Sequence, residues 1–196
     1  MIARVGSGFN SRNGAGIGEA FQSRIRRVDC YIALGSNLGD RKGHLEAGLE
    51  GLGLLGMKPA AVSSVWETEP IGTTFPRWFW NMVVMTRTDR EPLELLDALL
   101  EIERRNGRRR REPNAPRTLD MDLLLLGDVT VDVERLRLPH PRMWERRFVL
   151  EPLAEIAPTL RNPSSGRTVR QENERMANNG RVLKLGDLAS CPSLPL

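Results

Sequence analysis

The chain is poor in cysteine, lysine and histidine, and it has no long apolar run. Its only cysteines are Cys30 and Cys191. Two lone cysteines make neither a disulfide framework nor a zinc site, and two histidines add no His/Cys cluster. The pattern fits a reducing compartment, and a cytoplasmic location is expected. No segment approaches the ~18–20 apolar residues that a spanning helix needs, so no membrane partner is expected. There is no Gly-x-x-x-x-Gly-Lys loop and no kinase signature, so any nucleotide chemistry must use a different phosphate cradle. No internal repeat or low-complexity block is present.

What is there is a globular composition: 196 residues, 40% apolar and 28% charged, with net charge +4 and a sequence pI near 9.7. Only Lys42, Lys58 and Lys184 among the 29 Lys and Arg residues are lysine. Arginine favours bidentate contact with carboxylate and phosphate, although genome base composition also drives Lys to Arg. The length suits one domain with a real core, plus tails.

Residues 1–27 are rich in Gly, Ser and Arg and carry one acid, Glu19. Gly14-x-Gly16-x-Gly18 follows no strand and opens no helix, so the dinucleotide reading fails, and a disordered tail is expected. From Val28 the pattern is regular. Strands are expected at Val28–Leu34, Ala60–Glu67, Phe79–Thr88 and Thr118–Leu126. Asp40 is placed to cap a first helix carrying Leu45, Leu49 and Leu52. Pro92 opens a second, with Leu93, Leu96, Leu99 and Leu100 as its stripe and Gly107 as its stop. Val129–Val133 and Leu136–Leu138 form a short extra hairpin, and helical pieces near Met143–Arg147 and Leu150–Ile156 close the domain. The order β-α-β-β-α-β predicts an α+β fold, a ferredoxin-like sandwich with terminal helices. The domain is expected over residues 28–172, with residues 173–196 a poorly ordered tail.

The most informative stretch is Ala115-Pro116-Arg117-Thr118-Leu119-Asp120-Met121-Asp122. A run of β-type residues here carries two carboxylates with period two, which puts both on one strand face. Adjacent carboxylates repel unless a cation lies between them. Mg²⁺ takes one or two carboxylates and fills its other positions with water and phosphate oxygens. On an edge strand the same pair would be a solvated face, but Arg104, Arg105, Arg108, Arg109, Arg110, Arg111 and Arg117 crowd the neighbourhood and point to a polyanion. Glu103, three and four residues past Leu100 and Leu99, faces the sheet or else marks a frayed helix end. Phe79 and Asn81 share a strand face, either as core or as a ring and an amide for a planar heterocycle. His140 lies between two prolines, structural or a phosphate donor. Arg135 and Arg137 share a face, and Arg142, Arg146 and Arg147 extend the basic surface.

Together these residues resemble the 6-hydroxymethyl-7,8-dihydropterin pyrophosphokinase family of the folate pathway, over about residues 28–160. The resemblance rests on Tyr31-Ile32-Ala33-Leu34-Gly35-Ser36-Asn37-Leu38-Gly39, Thr68-Glu69-Pro70-Ile71-Gly72, Phe79-Trp80-Asn81, Ala115 to Asp122, and Leu138-Pro139-His140-Pro141-Arg142-Met143. It implies pyrophosphoryl transfer from ATP to the pterin hydroxymethyl, with release of AMP. It implies two Mg²⁺ ions on Asp120 and Asp122, and catalytic roles for Arg108, Arg110 and Arg117 beside them. Glu103, Arg117, Leu123, Arg135, Arg137, His140 and Arg146 fall where the family contacts ATP. Thr68, Pro70, Ile71, Gly72, Phe79, Asn81, Asp120 and Phe148 fall on the pterin side. The Gly107–Arg117 loop is one residue shorter than in the best-known bacterial form, and Pro141 stands where that form has tyrosine. A monomer with no nucleic-acid partner is expected. Two rival readings stay open on the residues alone: an RNA-binding module of the same fold, and another Mg²⁺-dependent nucleotidyltransferase.

Overall fold

A computed structural model of the chain describes residues 27–69, 77–108, 116–176 and 180–192. The expected N-terminal tail, residues 1–26 in particular, lies outside the described residues. Strand β1, Val28–Ser36, alternates buried Cys30, Ile32 and Leu34 with half-buried Tyr31 and Ala33. A strand covered on both faces belongs in the middle of a sheet, and β1 has partners on both sides. Strand β4, Phe79–Thr88, pairs with it antiparallel from Val28↔Thr88 to Ser36↔Trp80. Strand β5, Asp120–Leu126, pairs along the other side from Cys30↔Leu126 to Gly35↔Asp120.

The second expected strand is broken into β2, Ala61–Val62, and β3, Val65–Thr68. The break is held by side chains. Ser63 Oγ accepts from the Val83 N–H at 2.9 Å and donates to the Ser64 carbonyl at 2.8 Å, while the Ser64 N–H donates to Glu155 at 2.7 Å. These bonds replace ladder bonds that a straight strand would make. Helix α1, Arg41–Leu54, starts where Asp40 accepts from the Gly43 N–H at 3.1 Å. Its glycines permit close approach: a Cβ at Gly48 would lie 2.8 Å from Leu34, and one at Gly51 2.7 Å from Ile102.

Helix α2, Pro92–Arg105, opens on its proline as expected, but its buried stripe is Leu95, Leu99, Ile102 and Glu103. Leu93 is exposed, and Leu96 and Leu100 turn toward the cleft described below. Beyond β5 come the hairpin β6, Val131–Val133, and β7, Leu136–Leu138, then helices α3, Arg147–Ile156, and α4, Val169–Arg175.

The reading of residues 173–196 as a poorly ordered tail is corrected over the part described. Helix α4 runs past residue 172, with Thr168 and Gln171 forming a reciprocal capping box. Strand β8, Val182–Gly186, then pairs antiparallel with β3. The strand satisfies the open edge of β3 through main-chain bonds and buries little, with Leu183 54% exposed. A strand recruited by an edge has no apolar period to announce it.

The described residues thus form a mixed α/β fold with four helices and a six-stranded antiparallel sheet in the order β5-β1-β4-β3-β8, β2 lying on β4. Helices α1 and α2 bury Leu45, Leu52, Leu95 and Leu99 against Ile32, Leu34, Met82 and Met121. Helix α3 buries Val149, Leu150 and Leu153 in a second core with Val83 and Leu124. No helix among the described residues is long and apolar enough to cross a membrane.

Asp40→Ala should cost about 1 kcal/mol of stability, the usual loss when a capping side chain is removed. Urea unfolding monitored by far-UV circular dichroism should show a lower midpoint with an unchanged slope.

Candidate active site

The floor of the site is set by register. Gly35 of β1 is the Cα partner of both Asn81 on β4 and Asp120 on β5. A Cβ at Gly35 would lie 2.9 Å from Asn81 Oδ1 and 3.9 Å from Asp120 Cβ. The glycine therefore leaves the gap between an amide and a carboxylate open. Asn81 and Thr68 are buried, and Asn81 Nδ2 donates to Thr68 Oγ1 at 2.7 Å. Phe79, two residues along β4 from Asn81, is half-buried on the same strand face, so it is not sealed in the core. Phe148 belongs to the first turn of α3, and the Arg146 guanidinium stands 5.4 Å from its ring centroid.

Asp120 and Asp122 share one face of β5, and arginines compensate both. Asp120 Oδ1 pairs with Arg108 at 2.6 Å, and Oδ2 pairs closely with Arg117. Asp122 pairs more loosely with Arg146, at 3.4 Å. Arg108 also pairs closely with Glu103. Glu103 is 2% exposed and accepts from the Met121 N–H at 2.7 Å. It faces the sheet and is not a frayed end. Burial pushes its pKa up to about 7, against the opposing pull of the Met121 N–H and Arg108. Asp122 lies in a crowded recess, although 35% of its side chain reaches solvent. Its pKa is raised by burial first and by Asp120 second.

His140 is half-buried, and its pKa is lowered by burial, with Asp122 pulling it back up and Arg146 and Arg142 pushing it further down. Its Nδ1 accepts from the Arg142 N–H at 3.2 Å. The neutral ring then carries its proton on Nε2 and offers one donor.

Fourteen of the residues expected from the sequence line a single cleft of about 790 Å³. Thr68, Phe79, Asn81 and Phe148 form one end. Arg108, Arg117, Asp120, Asp122, His140 and Arg146 form the middle. Glu103, Leu123, Arg135 and Arg137 lie toward the α2 and hairpin side. Arg135 pairs closely with Asp97, and Arg137 with Asp132 at 2.9 Å, so both guanidinium groups are engaged at the exposed rim, away from the carboxylate pair. Pro70, Ile71, Gly72 and Arg110 lie outside the described residues. The cleft also contains Leu96, Leu100 and Leu136, the first two of which helical spacing alone assigns to the core. Asn37 is a further contributor. It accepts from the Arg117 N–H at 2.8 Å and donates its own N–H to the Arg117 carbonyl at 3.1 Å, fixing the entry to β5. Its position after a strand, in Gly-Ser-Asn, was the available signal.

Among the described residues no three His, Cys, Asp or Glu side chains converge as a metal cage. Two carboxylates on one strand face nonetheless fit Mg²⁺, which completes its shell with phosphate and water. A dication would offset both causes that raise the pKa of Asp122, its burial first and the Asp120 charge second. The arginines around it suit a polyanion, and Leu96, Leu100 and Leu123 offer an apolar wall beside it.

The family model for 7,8-dihydro-6-hydroxymethylpterin-pyrophosphokinase (HPPK) matches residues 31–158. A Bacillus subtilis 2-amino-4-hydroxy-6-hydroxymethyldihydropteridine pyrophosphokinase is 41% identical over 150 residues, covering 74% of this chain and 88% of that protein. A Pseudomonas aeruginosa protein of the same name is 44% identical over 140 residues, covering 71% and 85%. The fold is also similar to the crystal structure of wild-type Plasmodium falciparum HPPK-DHPS with SDX-DHP, with a TM-score of 0.60 at 14% identity. That match covers 76% of this chain but only 44% of the Plasmodium chain.

With two histidines in the chain, imidazole titration by NMR is simple to assign. The His140 resonance should titrate below the usual histidine range. Asp122→Asn should lower it further, because the carboxylate is the main group favouring the imidazolium. A midpoint that rises in the variant would contradict the described electrostatics.

Proposed function

The chain belongs to the 7,8-dihydro-6-hydroxymethylpterin-pyrophosphokinase family, and from that premise we propose how the residues of its cleft divide the work. The protein is an ATP-dependent pyrophosphokinase of folate biosynthesis, transferring pyrophosphate from ATP to the hydroxymethyl group of 6-hydroxymethyl-7,8-dihydropterin and releasing AMP. The observation that carries the site assignment is the in-register row Asn81–Gly35–Asp120, which aligns an amide, a gap and a carboxylate along one sheet floor.

The pterin is assigned to the Thr68–Asn81 end. Phe79 and Phe148 cover its apolar faces, and Asn81 satisfies its polar edge. Thr68 continues that edge, and Pro70, Ile71 and Gly72 are assigned to the pterin on the family resemblance alone. ATP is assigned to the arginine side, with its base toward Leu96, Leu100 and Leu123. Its phosphates go to Arg108, Arg117, His140 and Arg146, and Arg135 and Arg137 stand at the rim. Asp120 and Asp122 would hold two Mg²⁺ ions, which when bound neutralise phosphate charge and polarise the attacking hydroxyl. The hydroxymethyl oxygen attacks the β-phosphorus as the bond from that phosphorus to the oxygen bridging the α-phosphate breaks; AMP leaves with the bridging oxygen, and the hydroxyl proton is released to solvent. The barrier is one of positioning and charge, so the residues act by orientation. Arg108 and Arg117, already paired with Asp120, stand where they can transfer to phosphate oxygens. Arg110 is assigned a catalytic role on the family resemblance alone. Glu103, fixed by the Met121 N–H, holds Arg108 at the cleft edge.

The strand order supports the ferredoxin-like reading, with β5, β1, β4 and β3 as its four strands and β8 added at the edge. The catalytic domain is taken to begin at residue 28 and to extend beyond 172, to include α4 and β8. The RNA-binding reading loses support because, among the described residues, α1 and α2 cover one sheet face and α3 packs on the other, where an open face on which bases could stack would be needed.

AMP release from ATP should depend on the reduced pterin. Asp120→Ala and Asp122→Ala should each lower turnover by roughly a hundredfold or more, the size of loss seen when one electrostatic stabiliser is removed. Near-normal turnover of either variant at saturating Mg²⁺ would remove the carboxylates from the mechanism. Asn81→Ala leaves a buried polar edge unpaired, which costs about 1–3 kcal/mol, or roughly 5- to 150-fold in pterin affinity. Calorimetric titration should show that loss for the pterin and little change for a non-hydrolysable ATP analogue.

A further inference from the structure

The family match ends at residue 158, yet after it the chain returns to the elements that flank the cleft. The carbonyls of two successive residues, Gly180 and Arg181, each accept a bond from a different wall of the pterin end. Arg147 Nη1 donates to the Gly180 carbonyl at 3.0 Å. Arg147 is the first residue of α3 and immediately precedes Phe148. The Glu69 N–H donates to the Arg181 carbonyl at 3.1 Å. Glu69 immediately follows Thr68, whose hydroxyl accepts from Asn81. Strand β8 continues this contact, with Val182 opposite Thr68 and Leu183 opposite Glu67.

The segment is also anchored at its far end and in its middle. Lys42 of α1 donates to the carbonyls of Ala189 and Cys191 at 3.1 and 3.0 Å. Lys184 pairs with Glu155 of α3 at 2.6 Å, and Glu155 also accepts from the Ser64 N–H between β2 and β3. Helix α3 packs on the sheet through Val149, Leu150 and Leu153, and the segment adds a second tie, joining the Arg147 end of α3 to the Glu69 end of β3.

We propose that residues 180–191 are a strap that sets the width of the pterin slot, by tying the Phe148 end of α3 to the Thr68 end of β3. The inference rests on the assignment of the pterin to that end of the cleft. Arg147 and Lys42 are then positioning residues: they act through Phe148, Thr68 and Asn81 and touch no substrate. A planar ring held between two faces is sensitive to the spacing of those faces, whereas ATP on the arginine side is not.

The test uses the full-length chain and three variants, Arg147→Ala, Arg147→Lys and Lys42→Ala. Each is titrated with 6-hydroxymethyl-7,8-dihydropterin and, separately, with a non-hydrolysable ATP analogue. Hydrogen exchange of the Glu69 amide is followed in parallel. Arg147→Ala should weaken pterin binding about tenfold, the scale of one lost charge-assisted hydrogen bond, with ATP-analogue affinity held within about twofold. Arg147→Lys should recover most of the loss. Lys42→Ala, on the opposite face of the sheet from α3, should speed exchange at Glu69 and weaken the pterin alone, by a smaller factor. Unchanged pterin affinity in both alanine variants would overturn the strap. So would a parallel fall in nucleotide affinity, which marks general loosening, or an effect of Arg147→Ala with none from Lys42→Ala, which marks Arg147 acting by itself. If the unsubstituted protein fails to bind the pterin, the assignment of the pterin end is wrong and the strap falls with it. That result is distinguishable because it requires no variant.

Discussion

Every functional side chain on the sheet depends on the alignment of β1 between β4 and β5. A slip of one residue against β5 would send Asp120 and Asp122 into the core with Leu34 and Ile32 and bring Met121 and Leu123 to the cleft. The apolar residues forbid that slip, because Met121 and Leu123 are buried among the side chains of α1 and α2. The core thus does more than stabilise. By fixing which face each residue of β5 takes, it holds two carboxylates side by side, and burial disfavours the charge of Asp122. Gly35 is placed by the same alignment, and its missing side chain is as much a part of the site as the groups beside it.

Electrostatic compensation follows from that placement. Asp120 engages two guanidinium groups and Asp122 one, so the pair is not left as bare buried charge. Glu103 stands apart: its raised pKa places it near half-ionisation at neutral pH, despite Arg108 beside it. Such a group is stabilising in its protonated form below about pH 4.5, and that contribution is lost as pH rises through 7. The structure accepts this because the Glu103 carboxylate links the end of α2 to the start of β5, a junction that no apolar side chain could bond.

Much of this was legible in the sequence for identifiable reasons. Phe79–Thr88 is a strand with the bounds that its pattern predicts. Asp40, Pro92 and Gly107 mark helix ends through local chemistry that needs no tertiary context. The Asp-x-Asp spacing on a strand puts both carboxylates on one face, and both line the cleft. What was hidden depended on tertiary partners. The split at Ser63–Ser64 requires Glu155, 91 residues away. The orientation of Leu96 and Leu100 depends on how α2 rolls against α1, and Leu spacing alone is ambiguous about that rotation. Strand β8 was invisible because an edge strand is recruited by backbone and not by an apolar face. Asn37 was visible only as part of a turn, and its clasp on Arg117 appears once two loops far apart in sequence are brought together.

The glycines of α1 have a consequence for how such a sequence can drift. At Gly48 and Gly51 the helix backbone lies so near Leu34 and Ile102 that even a methyl group has no room. Helix and neighbours therefore share a fixed volume, and a lineage can enlarge one side only by shrinking the other in a compensating step. Ile102 is the residue next to Glu103, so this exchange is not confined to the packing. A substitution in α1 reaches the carboxylate at the cleft edge through a single peptide unit. Changes in a helix that gives no side chain to the cleft are therefore epistatic with the residues that line it.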